Sequence, residues 1–164
     1  MRDQVWRIMI NLRFKTYCLG LLVSKFQKNE RNISIFLAVA SSTSIAAWAV
    51  WDVTPKLWAG IIAMSQIITV IKPYFPFSKY IKELNAKCLK AELLMLEFEN
   101  LWHKTESKKN TEDETSEVFF KLRKEMTDVF SFGDDIIFEI GTSIEERANA
   151  KTKSYLFNNY GIED

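Results

Sequence analysis

Residues 33–51 read ISIFLAVASSTSIAAWAVW, nineteen consecutive positions without a charge, and residues 57–71, LWAGIIAMSQIITVI, repeat the feature over fifteen. At about 1.5 Å of rise per residue the first run makes roughly 28 Å of helix, which matches the hydrocarbon core of a bilayer. The second run is short by itself. Lys56 and Lys72 extend it by laying their methylene stems along the apolar helix while the ammonium groups reach the interface. Trp48, Trp51, Trp58, Tyr74, Phe75 and Phe77 gather at the ends of the runs, where amphipathic rings meet headgroups. Asp52-Val53-Thr54-Pro55-Lys56 leaves no room for a long connection, and Pro55 suits the first turn of a helix because its missing N–H would be unpaired there. The two runs are therefore predicted to form an antiparallel transmembrane hairpin. The competing reading is two buried helices of a soluble bundle, yet so short a chain rarely devotes this much uncharged length to fully buried helices.

Charge is sorted around the hairpin. Across its 164 residues the chain has a net charge of +1 and a mean hydropathy of −0.10, values that an ordinary soluble protein would share. Locally, residues 1–32 hold seven basic residues against two acidic, and residues 72–90 hold five lysines against Glu83 alone. Beyond Lys90, seventeen acidic residues face nine basic ones. Basic flanks on both sides of a hairpin predict that both termini are cytoplasmic and only the tight turn lies outside, with the basic segments attracted to anionic headgroups of the membrane lipids. No continuous basic face with interleaved aromatics is present, so direct nucleic-acid binding is not expected. The first run follows about thirty charged and amphipathic residues and leads at once into the second, which argues against a cleaved secretory signal. The only cysteines, Cys18 and Cys88, would lie on the cytoplasmic side, where a structural disulfide is not expected.

Polar and small residues interrupt the apolar runs. Ala38, Ser42, Ala46, Ala59 and Ala63 recur at four-residue spacing, as in helices that approach closely. Ser41, Ser44, Ser65, Gln66 and Thr69 fall near mid-depth, either as interhelical polar contacts or as lining of a water-filled lumen. Gln66 is the sharpest of these, because an amide in hydrocarbon needs hydrogen-bond partners. Two helices cannot enclose a pore, so a lumen implies several copies.

The remaining segments read as helices, which makes the chain all-α: a basic amphipathic N-terminal helix (1–32), the two-span hairpin (33–72) and a cytoplasmic helical module (73–164). Val5, Trp6, Ile8, Met9, Leu12, Tyr17, Leu19, Leu22 and Phe26 give the first segment an apolar side, weakened at Gly20. After the Pro73-Tyr74-Phe75-Pro76 break, Ile81, Leu84, Cys88, Ala91, Met95, Phe98 and Trp102 follow alternating spacings of three and four, a heptad seam that suits either oligomerisation or a bundle. Residues 106–110 read as a loop. Thr111 and Glu114 have capping-box spacing, with Thr115 and Ser116 as later alternatives. Val118, Leu122, Met126 and Val129 form an apolar face that Gly133 would close. Asp134 would cap a last helix carrying Ile137, Ile140, Ile144 and Ala148, and the run Tyr155, Leu156, Phe157, Tyr160, Gly161 would dock on the bundle or a neighbouring subunit.

Catalytic and metal chemistry find no pattern here. Glycine-rich phosphate loops, metal-spaced His and Cys clusters and nucleophile motifs are missing from the sequence, His103 stands alone, and Asp134-Asp135 and Glu145-Glu146 read as solvated charge. The expectation is a non-enzyme without a cofactor.

The order of parts (basic amphipathic helix, two closely spaced spans, long heptad helix, further helices) resembles the SLATT-type two-transmembrane proteins of bacterial conflict systems. That resemblance implies an effector that oligomerises in the bacterial inner membrane and forms a pore or disrupts the bilayer during anti-phage defence. It also implies activation by a separately encoded nucleotide-signalling or reverse-transcriptase partner. A non-conducting membrane scaffold anchoring a cytoplasmic partner, and a holin-like lesion former, are the alternatives.

Overall fold

The structure is a computed structural model that describes the chain apart from residues 51–54, 72–76, 133–139 and 163–164, and apart from the side chains of 41–50, 55, 57, 58, 77 and 78. The described residues form five helices and no strand: α1 (Arg2–Val50), α2 (Pro55–Ile71), α3 (Phe77–Glu106), α4 (Glu112–Val129) and α5 (Thr142–Tyr160). Residues Met1–Val23 with Lys82–Asp164 make one compact unit, and Ser24–Ile81 make a second.

These boundaries differ from the segments expected at 32/33 and 72/73. Between residues 24 and 33 the sequence holds no proline, glycine or stop signal, so α1 runs on without a break. Gly20 does not interrupt it either; a Cβ there would stand 3.9 Å from Cys88 Sγ, an ordinary contact. The first 23 residues join the distal helices because Val5, Met9 and Leu12, at spacings of four and three, put an apolar stripe on one side of α1.

In the first unit that stripe meets Leu94, Met95, Phe98 and Leu101 of α3 and Phe119, Leu122 and Met126 of α4 in one core. Phe98 and Phe119 meet edge to face with centroids 6.4 Å apart. α5 buries Ile144, Ala148 and Thr152. The buried polar residues of the described chain are three threonines, and each satisfies its hydroxyl by donating to the carbonyl four residues back: Thr16 to Leu12, Thr115 to Thr111 and Thr152 to Ala148, at 2.8 to 2.9 Å.

The start of α4 follows the capping-box spacing. Thr111 Oγ1 accepts from the Glu114 N–H at 3.3 Å, and the Glu114 carboxylate accepts from the Thr111 N–H at 2.8 Å. These bonds to Thr111 hold the Glu114 carboxyl below the usual carboxylate range. Thr111→Ala will destabilise the unit by about 1 kcal/mol in thermal unfolding. Glu114 has a depressed folded-state value, so its share is present above the ordinary carboxylate range and lost as pH falls through the lowered one. The helix ends at Val129, before the stop expected at Gly133, which lies outside the described residues together with Asp134, Asp135 and Ile137. Phe130 is the C-cap, its N–H donating to the Met126 carbonyl at 3.1 Å, and Lys87 Nζ donates to the Val129 and Ser131 carbonyls at the helix end.

α5 begins later than its apolar spacing predicts. Gly141 is the N-cap, and Ile140 precedes the helix and is exposed. The C-terminal aromatic run is not a separate element but the last turns of α5, closed by Gly161 in the left-handed region at φ 64°. Tyr155 and Tyr160 pack on the core, while Phe157 is exposed.

Among the described residues no helix is long and apolar enough to cross a membrane. α2 has seventeen residues, about 25 Å of helix.

Candidate functional site

The second unit carries the residues that the sequence singles out, and its exposure pattern differs from that of the first. On α2, Ile61, Ser65 and Ile68 are half-buried, and their spacing of four and three places them on one stripe. The other described faces of α2 are exposed, although they are apolar: Ile62, Met64, Ile67, Val70 and Ile71 stay between 42% and 65% accessible. On α1, Ile35 and Val39 are likewise more than half accessible. Burial of such side chains stabilises by about 1.5–3 kcal/mol each, so a surface of this composition is out of place against water.

The polar groups of α2 divide in two. Ser65 Oγ donates to the Ile62 carbonyl at 2.8 Å, and Thr69 Oγ1 donates to the Ser65 carbonyl at 2.7 Å, so both hydroxyls are satisfied inside their own helix. Gln66 is exposed, and its amide has no hydrogen-bond partner among the described residues. Helical periodicity sets Gln66 on the same side as Ala59, Ala63 and Val70, away from the Ile61-Ser65-Ile68 stripe. Ala59 and Ala63, the small residues on that side of α2, are exposed. Ala38 on α1 is also exposed. Ser41, Ser42, Ser44 and Ala46 lie on α1 with side chains outside the described residues.

The heptad seam of α3 is buried. Leu84, Ala91, Met95 and Phe98 are 0–1% accessible, Ile81 is buried at 8%, and Cys88 and Trp102 are half-buried, all within the single chain. Met95 and Phe98 belong to the core shared with α1 and α4, and Trp102 packs against it. Within the single chain this seam is enclosed, as the seam of a bundle helix is.

A polar cluster in the first unit has no counterpart among the sequence expectations. Arg13 of α1 donates through Nη2 to Glu99 Oε1 of α3 at 2.8 Å, with both side chains about four-fifths buried. The Tyr155 hydroxyl of α5 donates to the same carboxylate oxygen, and the Arg13 guanidinium lies 3.9 Å from the centroid of the Tyr155 ring. Tyr160 stands 3.4 Å from the Tyr155 hydroxyl and meets Trp6 edge to face, and Trp6 packs on Trp102. Burial pushes the Tyr155 phenol well above its ordinary value, helped by its bonds to Glu99 and Tyr160 and opposed by Arg13. Burial also works against the Arg13 charge, but Tyr155, Tyr17 and Glu99 outweigh it and hold the guanidinium above its ordinary value. Arg13 Nε is buried without a hydrogen-bond partner among the described residues. The cluster ties α1, α3 and α5 together.

Cys18 and Cys88 are free thiols, and burial pushes both up, with Glu145 and Glu92 adding to the effect, away from the thiolate that reactivity needs. No group of three or more His, Cys, Asp and Glu is placed to hold a metal ion among the described residues. Glu145 and Glu146 are exposed on α5. Comparison with protein-family models, with curated proteins and with solved structures finds no match.

Proposed function

We propose that this chain is an oligomeric effector of the bacterial inner membrane that forms a pore or disrupts the bilayer in anti-phage defence. In this reading α1 and α2 supply a transmembrane hairpin with both termini cytoplasmic, and a separately encoded nucleotide-signalling or reverse-transcriptase partner activates it. The carrying observation is α2: five large aliphatic or Met side chains exposed on a helix whose hydroxyls are satisfied internally, with Gln66 on the outer side and without a hydrogen-bond partner among the described residues. In hydrocarbon that surface costs nothing to expose, and the backbone-bonded hydroxyls meet the requirement that polar groups be satisfied within the helix. Lys56 and Lys72 bring the seventeen residues of α2 up to the thickness of the core by snorkelling. The resemblance in segment order to SLATT-type proteins supplies the defence context.

Gln66 and the small residues beside it form the face that meets a neighbouring copy or the lumen. Purified full-length chain, reconstituted in anionic liposomes with its activator, will release an entrapped dye. Gln66→Leu will lower the release several-fold while leaving membrane insertion intact. Dye retention by an assembled, activated complex sinks the pore reading and favours a non-conducting scaffold that presents the exposed acidic Glu145 and Glu146.

A further inference from the structure

The helix that buries the seam carries a second one on its opposite side. Lys82, Ala86, Leu89, Leu93, Leu96 and Asn100 follow spacings of four, three, four, three and four along α3. All six are exposed, and the three leucines remain 54–60% accessible although the buried face of the same helix is nearly dry. This is a short heptad stripe with no cover from its own unit.

What covers it is indicated by charge. Along one flank of the stripe stand Glu83, Lys90, Glu97 and Lys104, seven residues apart and alternating in sign. The side chain of none of the four forms an ion pair or hydrogen bond among the described residues. We propose that the leucine stripe of α3 is a self-association surface that takes α3 of a second copy of this chain in antiparallel orientation. About a two-fold axis near Leu93 and Leu94, Lys90 of one copy faces Glu97 of the other and Glu83 faces Lys104, so all four flank contacts join opposite charges. Leu93 of one copy then packs on Leu96 of the other. In antiparallel helix pairs flanks of the same type meet, whereas in parallel pairs opposite flanks meet. A parallel pair would set Glu92, on the other flank, against Glu97 of the second copy, like against like. The antiparallel pair brings Glu92 only towards Glu99, whose charge Arg13 already compensates at 2.8 Å.

The surface lies on the first unit and does not rest on the membrane reading. The test uses the full chain in a dispersing detergent, with association followed by sedimentation velocity over a concentration series and folding checked by circular dichroism. Leu93→Glu removes the dimer. Lys90→Glu and Glu97→Lys each weaken it about tenfold, since each turns two symmetric attractive contacts repulsive. The double variant carrying both reversals regains wild-type association, because opposite charges again face each other. A wild-type chain that stays monomeric throughout, or association indifferent to Leu93→Glu, overturns the proposal. Glu97→Lys that tightens association overturns the antiparallel orientation in favour of the parallel one.

Discussion

Phe98→Ala will lower the unfolding free energy of the helical bundle by about 3–5 kcal/mol, a fall of roughly 6–20 °C in the thermal midpoint read by near-ultraviolet circular dichroism. Phe98 is 0% accessible and belongs to the core that joins α1, α3 and α4, where its ring meets Phe119 edge to face. Truncation removes the transfer free energy of the ring and leaves a cavity that three packed helices cannot close without moving together. Leu93→Ala, on the exposed side of the same helix, will cost the single chain less than about 0.5 kcal/mol. The contrast carries information about the heptad seam. If the seam served self-association, the effect of Phe98→Ala would depend on protein concentration. Because the seam is enclosed by its own chain, the shift will be the same across a dilution series.

That seam marks the boundary of what the sequence makes legible. Periodicity in Leu84, Ala91, Met95 and Phe98 identifies a helix and its buried face, because both follow from local geometry. It does not identify the surface that receives the face. A stripe of identical character on α1 (Val5, Met9, Leu12) and another on α4 (Phe119, Leu122, Met126) lie within the same chain, and closing a long loop costs little more than closing a short one. Thr111 and Glu114 were readable for the converse reason: the capping box is complete within four residues. The start of α5 was not, since Asp134 has the right side chain for a cap while the described helix begins after Gly141, which has no side chain to signal with.

At the candidate site, composition locates the apolar runs, and helical spacing alone groups Gln66 with Ala59 and Ala63. It does not say which side of α2 the unit covers. The structure half-buries Ile61, Ser65 and Ile68 and so assigns Gln66 to the outside. It also shows that Ser65 and Thr69, which by residue type rank beside Gln66, already have acceptors in their own helix.

Least legible of all was the contact between Arg13 and Glu99, eighty-six positions apart. Each residue is an ordinary charged side chain beside an apolar stripe, and only the fold reveals that they meet. Arg13→Met and Glu99→Leu will each destabilise the bundle by about 3 kcal/mol, because each leaves the other charge buried without its partner. The two side chains are 18% and 21% accessible, enough for some water to reach them, which keeps the expected loss at the low end of the range for buried pairs. The double variant Arg13→Met with Glu99→Leu will recover most of that loss, since apolar side chains of similar length replace a pair whose desolvation offsets much of its attraction. A cycle in which the two losses simply add would mean that the charges do not interact across the unit. Alkaline titration gives a second reading of the same contact. Tyr155 has its folded-state value raised by burial and by Glu99, so its stabilising share is complete below the ordinary tyrosine value of about 10 and is lost as pH rises through the raised one. Glu99→Leu removes one of the groups that raise it, so the Tyr155 part of the alkaline loss will be smaller in that variant, and Tyr155→Phe will lack it altogether. An alkaline profile in which Tyr155→Phe matches the wild type would place the titrating group elsewhere and detach α5 from the cluster.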